Sequence, residues 1–552
     1  MSDWERLAAS PERVSTDILV LGGGIAGCRA AVAAREAGAR VVHAYLARGA
    51  SPYVIGANVP LGAVDPLDNA AIYAEDMIAG GYQLSDRRLV EALANASVAS
   101  FEDLVRLGVP FARNGKGFAQ RHLSGNTYPR SVFVPEGVGR AVIDTLTRRS
   151  QEVSVDTLPG WRVVSLIMAD GAVAGALLAD AKKGDFLAVE AKAVVLAMGG
   201  IGRLYDDSTY PVDIAADAYA LALEAGADLI DMEFVQFEPL VTVYPEGARG
   251  MEMPTAMLGD GAPLLNAAGE RFMFRYNPEH GEKRIEKARM SLCIQQEIDE
   301  GRGFPDDTVV IDTTVLPAAT VESYVAHCKR LRAAGLDPLK TPPRVRPAAH
   351  SEMGGVFIDE TGATGVPGLF ACGEASGGIH GASRLAGNGG GETMAMGWLV
   401  GRSAAAAVKR DGARRTLSKK AGEAAAARLV AEGRGTHADA IKAELRTAMG
   451  EAAGLYRDEA GLTKGLATVE RLRAASAELG TPDLAAALAA RSARNMTLIA
   501  ELIIRAALRR EESRGAHQRR DHPGQDDTRW HQHIAFRLGE DGAVEERTLP
   551  IH

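Results

Sequence analysis

Cysteine is scarce in this sequence: 552 residues contain only 4, Cys28, Cys293, Cys328 and Cys372. Their scatter excludes a disulfide-stapled secreted scaffold and gives neither zinc nor iron–sulfur spacing, so no metal centre is expected. Long apolar runs are lacking too. The best candidate, Met496 to Leu508, is broken by Glu501 and Arg505, which argues against direct membrane insertion. Positive charge is not in excess either. With 62 Lys and Arg against 71 Asp and Glu the net charge is −9, and nucleic-acid binding, which needs a basic surface, is not expected. The polar stretch Met1 to Thr16 has no apolar core of a cleaved signal, and the reading is of a cytoplasmic protein. The length suits about three or four structural units. What the chain has in quantity is glycine, 61 residues of it.

The first cluster is informative. Thr16 to Val20 read as a strand and the Ala-rich segment to Ala37 as a helix, with Leu21-Gly22-Gly23-Gly24-Ile25-Ala26-Gly27 between them. Gly22, Gly24 and Gly27 have dinucleotide-binding spacing: a tight turn, bare backbone beside a pyrophosphate, and close helix–strand packing. One part of that motif is absent. The second strand, Arg40 to Tyr45, should end in an acid for the ribose hydroxyls, yet no Asp or Glu lies between Glu36 and Asp65. A nicotinamide dehydrogenase depends on that acid, so the expectation turns to FAD held by further contacts.

Later glycines supply candidates. The apolar strand Ala193 to Ala197 ends in Met198-Gly199-Gly200-Ile201-Gly202, a similar turn is Gly368 to Glu374, and Gly387 to Glu392 opens a helix reaching Val408. Such turns after buried strands are expected to line one long ligand. Between Glu238 and Arg344 the texture becomes charged and turn-rich, as in an inserted domain. Beyond Lys409, Leu462, Leu466, Val469 and Leu472 recur at helical spacing, and Ile534, Phe536 and Leu538 alternate like a strand.

Several stretches together resemble the flavoprotein subunits of succinate dehydrogenase and fumarate reductase, a family that includes L-aspartate oxidase. They are LGGGIAG at 21–27, DMEFVQF at 231–237, HSEMGG at 350–355, GLFACGEASGGIHG at 368–381, HGASRLAGN at 380–388, and ESRGAH followed by RRDHP at 512–523. The resemblance runs from about Asp17 to His533. It implies an α/β, Rossmann-like FAD-binding domain in two parts, 1–238 and 345–408. An α+β capping domain at 239–344 is inserted between them, and a C-terminal helical domain with tail follows at 409–552. It also implies hydride transfer between flavin N5 and a carbon near a carboxylate, by C=C reduction or C–C desaturation, or C=N formation in the aspartate oxidases.

Such chemistry needs an acid and cations that hold a carboxylate, a task suited to arginine's planar fork. By the resemblance, Arg384 takes the substrate carboxylate, His350 donates to the substrate's other end, and Arg289 is the capping domain's proton-delivering arginine. Met290 replaces the acid that usually follows it. The cofactor residues would be Gly22, Gly24, Gly27, Gly199, Gly200, Asp217, Glu374, Asn388 and Gly389, the last two at a helix start near the isoalloxazine. Ser51 to Gly56 contains no histidine for covalent attachment, so FAD is expected to be non-covalent. Two substrate-binding positions depart from the family. Glu238 stands for a histidine, and Asp260, in Leu258-Gly259-Asp260-Gly261, stands for a glutamate after a rearranged loop, Val241 to Met257. An ionised Glu238 repels a dicarboxylate, so the expected small-molecule substrate is a carboxylic acid other than fumarate or succinate, with an amino or neutral group facing Glu238. Glu512, Arg514 and His517 read as a buried network fastening the helices to the flavin domain.

Without iron–sulfur ligands, electrons must pass to or from a separate iron–sulfur or other electron-transfer subunit, oxygen or a small carrier. An L-aspartate-oxidase-like activity is the nearest alternative, although residues 123–128 lack that branch's acid. A flavin-bearing electron-transfer subunit with a decayed substrate site is another, opposed by the retention of His350, Arg384 and Arg289.

Overall fold

The computed structural model describes residues 4–552 apart from 6, 7, 9, 116, 124, 284, 412–418, 430–436 and 540. A five-stranded parallel sheet forms the centre of the flavin domain. In spatial order it contains β6 (Leu369–Ala371), β3 (Ala193–Leu196), β1 (Ile18–Leu21), β2 (Val41–Tyr45) and the strand Asp156–Pro159. β1, β2, β3 and β6 are buried along their whole length, which explains their uninterrupted apolar sequences. Helix α1 (Ile25–Glu36) follows β1 through the first glycine turn. Gly22 has φ +124°, and a Cβ there would lie 2.0 Å from the Ala197 carbonyl oxygen; one at Gly27 would lie 2.0 Å from that of Gly22. Glycine at both positions is therefore a packing requirement.

A long helix, α3 (Asn388–Asp411), lies against α1. A Cβ at Gly397 would approach the Ala26 carbonyl oxygen to 2.7 Å, and one at Gly401 that of Ala30 to 2.4 Å. This small-residue seam joins the second part of the flavin domain to the first, across the whole inserted segment.

The inserted segment has its own core, including Leu240, Met253, Phe272, Ile294, Val309 and Leu331. The chain enters it through β4 (Val235–Tyr244) and leaves through β5 (Arg344–Glu352), and these strands pair antiparallel. The expected boundaries after residues 238 and 344 thus fall inside one pair of adjacent strands, part of a four-stranded sheet. α2 (Lys287–Asp299) packs across it. The tail is more than a single strand: β7 (His533–Leu538) pairs with Val544–Leu549 and also with Leu229–Ile230, tying the C-terminus into a flavin-domain sheet.

The helical segments include α4 (Glu459–Ala477) and α5 (Leu484–Arg509), with Leu462, Val469 and Leu472 on the buried face of α4. Just beyond α5 lies a dense ionic network. Glu512 accepts from Arg514 Nε and Nη2 at 2.8 and 2.9 Å and pairs with Arg510 at 3.2 Å; Arg510 also pairs with Glu233. Arg457 donates to the Glu233 carbonyl oxygen at 2.7 Å and contacts His517 Nδ1 at 2.8 Å. Arg510, Glu512, Arg514 and His517 are at most 1% exposed. No described helix is long and apolar enough to cross a membrane. Arg514→Ala would leave Glu512 buried with half of its pairing, an expected cost of about 3–5 kcal/mol. It should read as a lower apparent melting temperature, and wild-type melting would contradict the fastening role.

Candidate active site

An open cleft lies at the carboxyl ends of the parallel strands, lined by Gly22, Gly24, Ala197, Gly199, Asp217 and Glu374 among others. This is where an open α/β sheet binds ligands. Gly24 caps α1 without a side chain of its own, and the first amide, that of Ile25, donates to Ser51 Oγ at 3.0 Å; the helix N-terminus still directs its positive end at the cleft. Arg48, not an acid, follows β2: it stacks on the Tyr45 ring at 4.5 Å, donates to Thr147 Oγ1 at 2.9 Å and lines the cleft. Asp217 accepts from Asn495 Nδ2 at 2.6 Å. Glu374 accepts from the Glu352 amide at 2.9 Å and from the Tyr210 hydroxyl. Burial pushes its carboxyl up to about 8, so it is neutral near pH 7. The glycine turn, the helix start beside it and the acids along the cleft fit FAD.

Not every expected cofactor residue lines this cleft. Gly200 packs on Glu374, where a Cβ would lie 2.5 Å from Oε1. Asn388 turns inward, its Oδ1 accepting from Asn58 Nδ2 at 2.6 Å and from the Tyr73 hydroxyl at 3.0 Å. Gly389 lies beneath Arg384, since a Cβ there would be 3.1 Å from Nη1. Thr393, one turn along α3, does line the cleft. The start of α3 therefore connects the cofactor cleft to Arg384.

The ribbon of β4 and β5 carries the polar centre. Its register shifts between Gln236–Phe237 and Ser351–Ala349, which makes His350 the extra residue of a bulge. A second irregularity follows Glu238 on β4, at Pro239, which has no amide to give the ladder. Bulges re-aim side chains, and here they bring His350 Nε2 within 3.9 Å of Glu238 Oε2. Lys287, the first residue of α2, donates to Glu238 Oε1 and Oε2 at 2.9 and 2.7 Å and to Glu252 Oε1 at 3.2 Å. An antiparallel bridge, Val241 to Glu252, folds Glu252 back to this position.

Charge states follow from burial and neighbours. Burial, aided by Glu252, pushes Glu238 up to about 7 against the pull of Lys287. For Glu252 burial acts in the same direction, but Lys287, His350 and Arg384 outweigh it and hold the carboxyl below its usual range. Burial, with Arg384 and Lys287, pushes His350 down to about 3, so the imidazole is neutral. Thr209 Oγ1 lies 3.0 Å from His350 Nδ1; a hydroxyl donating there leaves the ring proton on Nε2. Arg384 contributes its carbonyl oxygen to Gln236 Nε2 at 3.2 Å, while its buried Nε has no hydrogen-bond partner among the described residues.

Of the residues predicted for the substrate, Glu238, His350 and Arg384 come together. Asp260 does not join them: it is exposed on the inserted domain and accepts from the Tyr324 hydroxyl at 2.6 Å. Arg289 is exposed too, and its charge acts on Tyr82, Cys293 and Tyr456. Lys287 and Glu252 were not foreseen. Lys287 stood two residues before the arginine that was singled out, and Glu252 lay in the loop that departs from the family. Among the described residues, Glu238, Glu252 and His350 offer ligand atoms within 4.8 Å of one another. The ammonium of Lys287 already fills the place between the two carboxylates that a metal ion would need.

A pH dependence follows. Below about 7 Glu238 is protonated and an anionic ligand meets a more positive site; above it the carboxylate opposes the ligand. Crotonate, titrated into the flavin-loaded protein and followed by flavin absorbance, should bind more weakly as pH rises through this value. Glu238→Gln should flatten the dependence, and an unchanged slope would contradict the assignment.

Comparison with known proteins gives the family. Residues 17–389 match the family model described as FAD binding domain, and residues 442–551 match that of the fumarate reductase flavoprotein C-term. Over 525 residues the chain is 34% identical to a component of the fumarate reductase (CoM/CoB) of Methanothermobacter marburgensis, covering 93% of this chain and 95% of that protein. It is 30% identical to L-aspartate oxidase of Streptomyces coelicolor, covering 98% and 93%. The solved structure of Mycobacterium smegmatis Sdh1 in complex with UQ1 superposes with a TM-score of 0.87 at 31% identity, covering 98% of this chain and 95% of that one. FAD is the cofactor, and the chain belongs to the succinate dehydrogenase and fumarate reductase flavoprotein family.

Proposed function

We propose that this protein is an FAD-dependent oxidoreductase acting on a CH–CH bond beside a carboxylate, reducing a C=C bond or introducing one, with a carboxylic acid other than fumarate or succinate as substrate. The observation that carries the reading is the grouping of Arg384, His350 and Glu238 beside the start of α3, next to the cofactor cleft. When bound, FAD supplies or accepts the hydride. Arg384 holds the carboxylate through its fork and stabilises the enolate-like charge that develops. His350, neutral and backed by Thr209, donates to the other end of the substrate. For Arg289, the proton source that the resemblance implies, to act, the helix that carries it would have to turn, because Arg289 is exposed about 200° round that helix from Lys287.

Lys287 bears on the neighbouring reading as an amino-acid oxidase. Its ammonium offsets the charge of Glu238 through both oxygens; the carboxylate can still accept a hydrogen bond but has no unshared charge for a substrate ammonium, and this favours a non-amino acid. A decayed site has no reason to bring Arg384 and His350 together. All four cysteines are buried and free, so a separate iron–sulfur or other electron-transfer subunit, oxygen or a small carrier exchanges the electrons.

Photoreduced holoenzyme mixed with a panel of unsaturated acids tests the proposal. At least one α,β-unsaturated acid should reoxidise the flavin rapidly, and Arg384→Gln should slow it about 10²- to 10³-fold. Fumarate turnover at ~10 per second, typical of an efficient enzyme, would contradict the substrate reading. Acid precipitation should release the flavin into the supernatant, and a yellow pellet would contradict non-covalent binding.

A further inference from the structure

The cations around the candidate site are not equally available to a substrate. The charge of Lys287 is taken up inside the protein, by both oxygens of Glu238 at 2.7 and 2.9 Å and by Glu252 at 3.2 Å. His350 offers a hydrogen bond but no charge. Arg289 lies about 200° round the helix from Lys287, exposed, with its charge acting on Tyr82, Cys293 and Tyr456. Arg384 remains. It forms no ion pair among the described residues, its buried Nε is unpartnered, and Gly389 beneath it leaves the guanidinium face uncrowded.

The acceptors are as telling. Glu238 is 1% exposed and Glu252 is folded against the same ammonium, so the end of the site away from Arg384 already contains two carboxylates and one cation. A second substrate carboxylate there would meet like charge with no free cation to offset it. A neutral group with N–H or O–H donors would find an acceptor in Glu238 and a donor in His350 Nε2.

Building on the hydride-transfer reading above, we infer that Lys287, Glu238 and Glu252 act together as a specificity device, which restricts the substrate to acids with one carboxylate, held by Arg384, and an uncharged hydrogen-bonding group such as an amide or hydroxyl at the far end. Lys287 and Glu252 act through Glu238 as positioning residues. Dicarboxylates are rejected by charge, not by size.

Fumarate and its monoamide, fumaramate, are nearly isosteric and differ by one charge, which makes them the appropriate pair of probes. Each is titrated into the flavin-loaded protein at a pH of about 8, where Glu238 is ionised, and followed by flavin absorbance. Fumaramate should bind at least about tenfold more tightly than fumarate. Glu238→Gln combined with Glu252→Gln frees the charge of Lys287 and should reverse the order; Glu252→Gln alone, which keeps the Lys287 to Glu238 contact, should narrow the ratio. Fumarate binding as tightly as fumaramate to the wild type, or a ratio unmoved by either variant, would overturn the inference. Turnover tells which reading has failed. If photoreduced enzyme is reoxidised by fumarate faster than by fumaramate, the one-carboxylate inference falls together with the exclusion of fumarate while the hydride-transfer reading stands; if no acid of the panel reoxidises it, the hydride-transfer reading falls too.

Discussion

The antiparallel pairing of β4 with β5 is the constraint on which the rest depends. The chain crosses between the flavin domain and the inserted domain only twice, and both crossings are strands of this ribbon. A residue on the ribbon belongs to neither domain alone, so its side chain can face the cofactor side while helix α2 of the inserted domain closes from above. Glu238 and His350 occupy such positions, and the two irregularities in the ladder aim them at each other. A regular ladder would send alternate residues to opposite faces and would give no reason for the two to meet.

The flavin side is fixed with comparable rigidity. Helices α1 and α3 come from opposite ends of the flavin domain in sequence, yet Gly397 and Gly401 let them pack backbone to backbone. That contact places the start of α3, and with it Gly389 and Arg384, at a set distance from the first glycine turn. The buried network of Arg510, Arg514, Glu512 and Glu233 then locks the helical region to the segment that leads into β4. Charge buried so completely is retained where it fixes geometry better than an apolar contact would; here it fixes the root of the ribbon.

Much of this was legible in the sequence, for identifiable reasons. Strands buried on both faces leave continuous apolar runs, and the glycines at 22 and 27 are required by contacts of 2.0 Å, so the flavin domain could be read from composition and spacing. Arg384 and His350 sit in motifs whose neighbours are also constrained. Lys287 and Glu252 were not legible, because their roles come from the first residue of a helix and the return strand of a loop meeting across the inserted domain. No local pattern encodes that meeting. Asp260 shows the converse: the resemblance implies it in place of a family acid, but the short helix that ends on it turns it to the surface beside Tyr324.

Charge distribution within the site carries the functional conclusion, since Arg384 is a cation awaiting an anion while Lys287 is one already satisfied. The most direct measurement is a crystal structure of the flavin-loaded protein with fumaramate bound. The expected result is a bidentate carboxylate on Arg384, the C=C bond over the flavin, and the amide between Glu238 and His350. A ligand carboxylate seated on Lys287, or Arg384 paired with a protein carboxylate and turned away from the ligand, would contradict it.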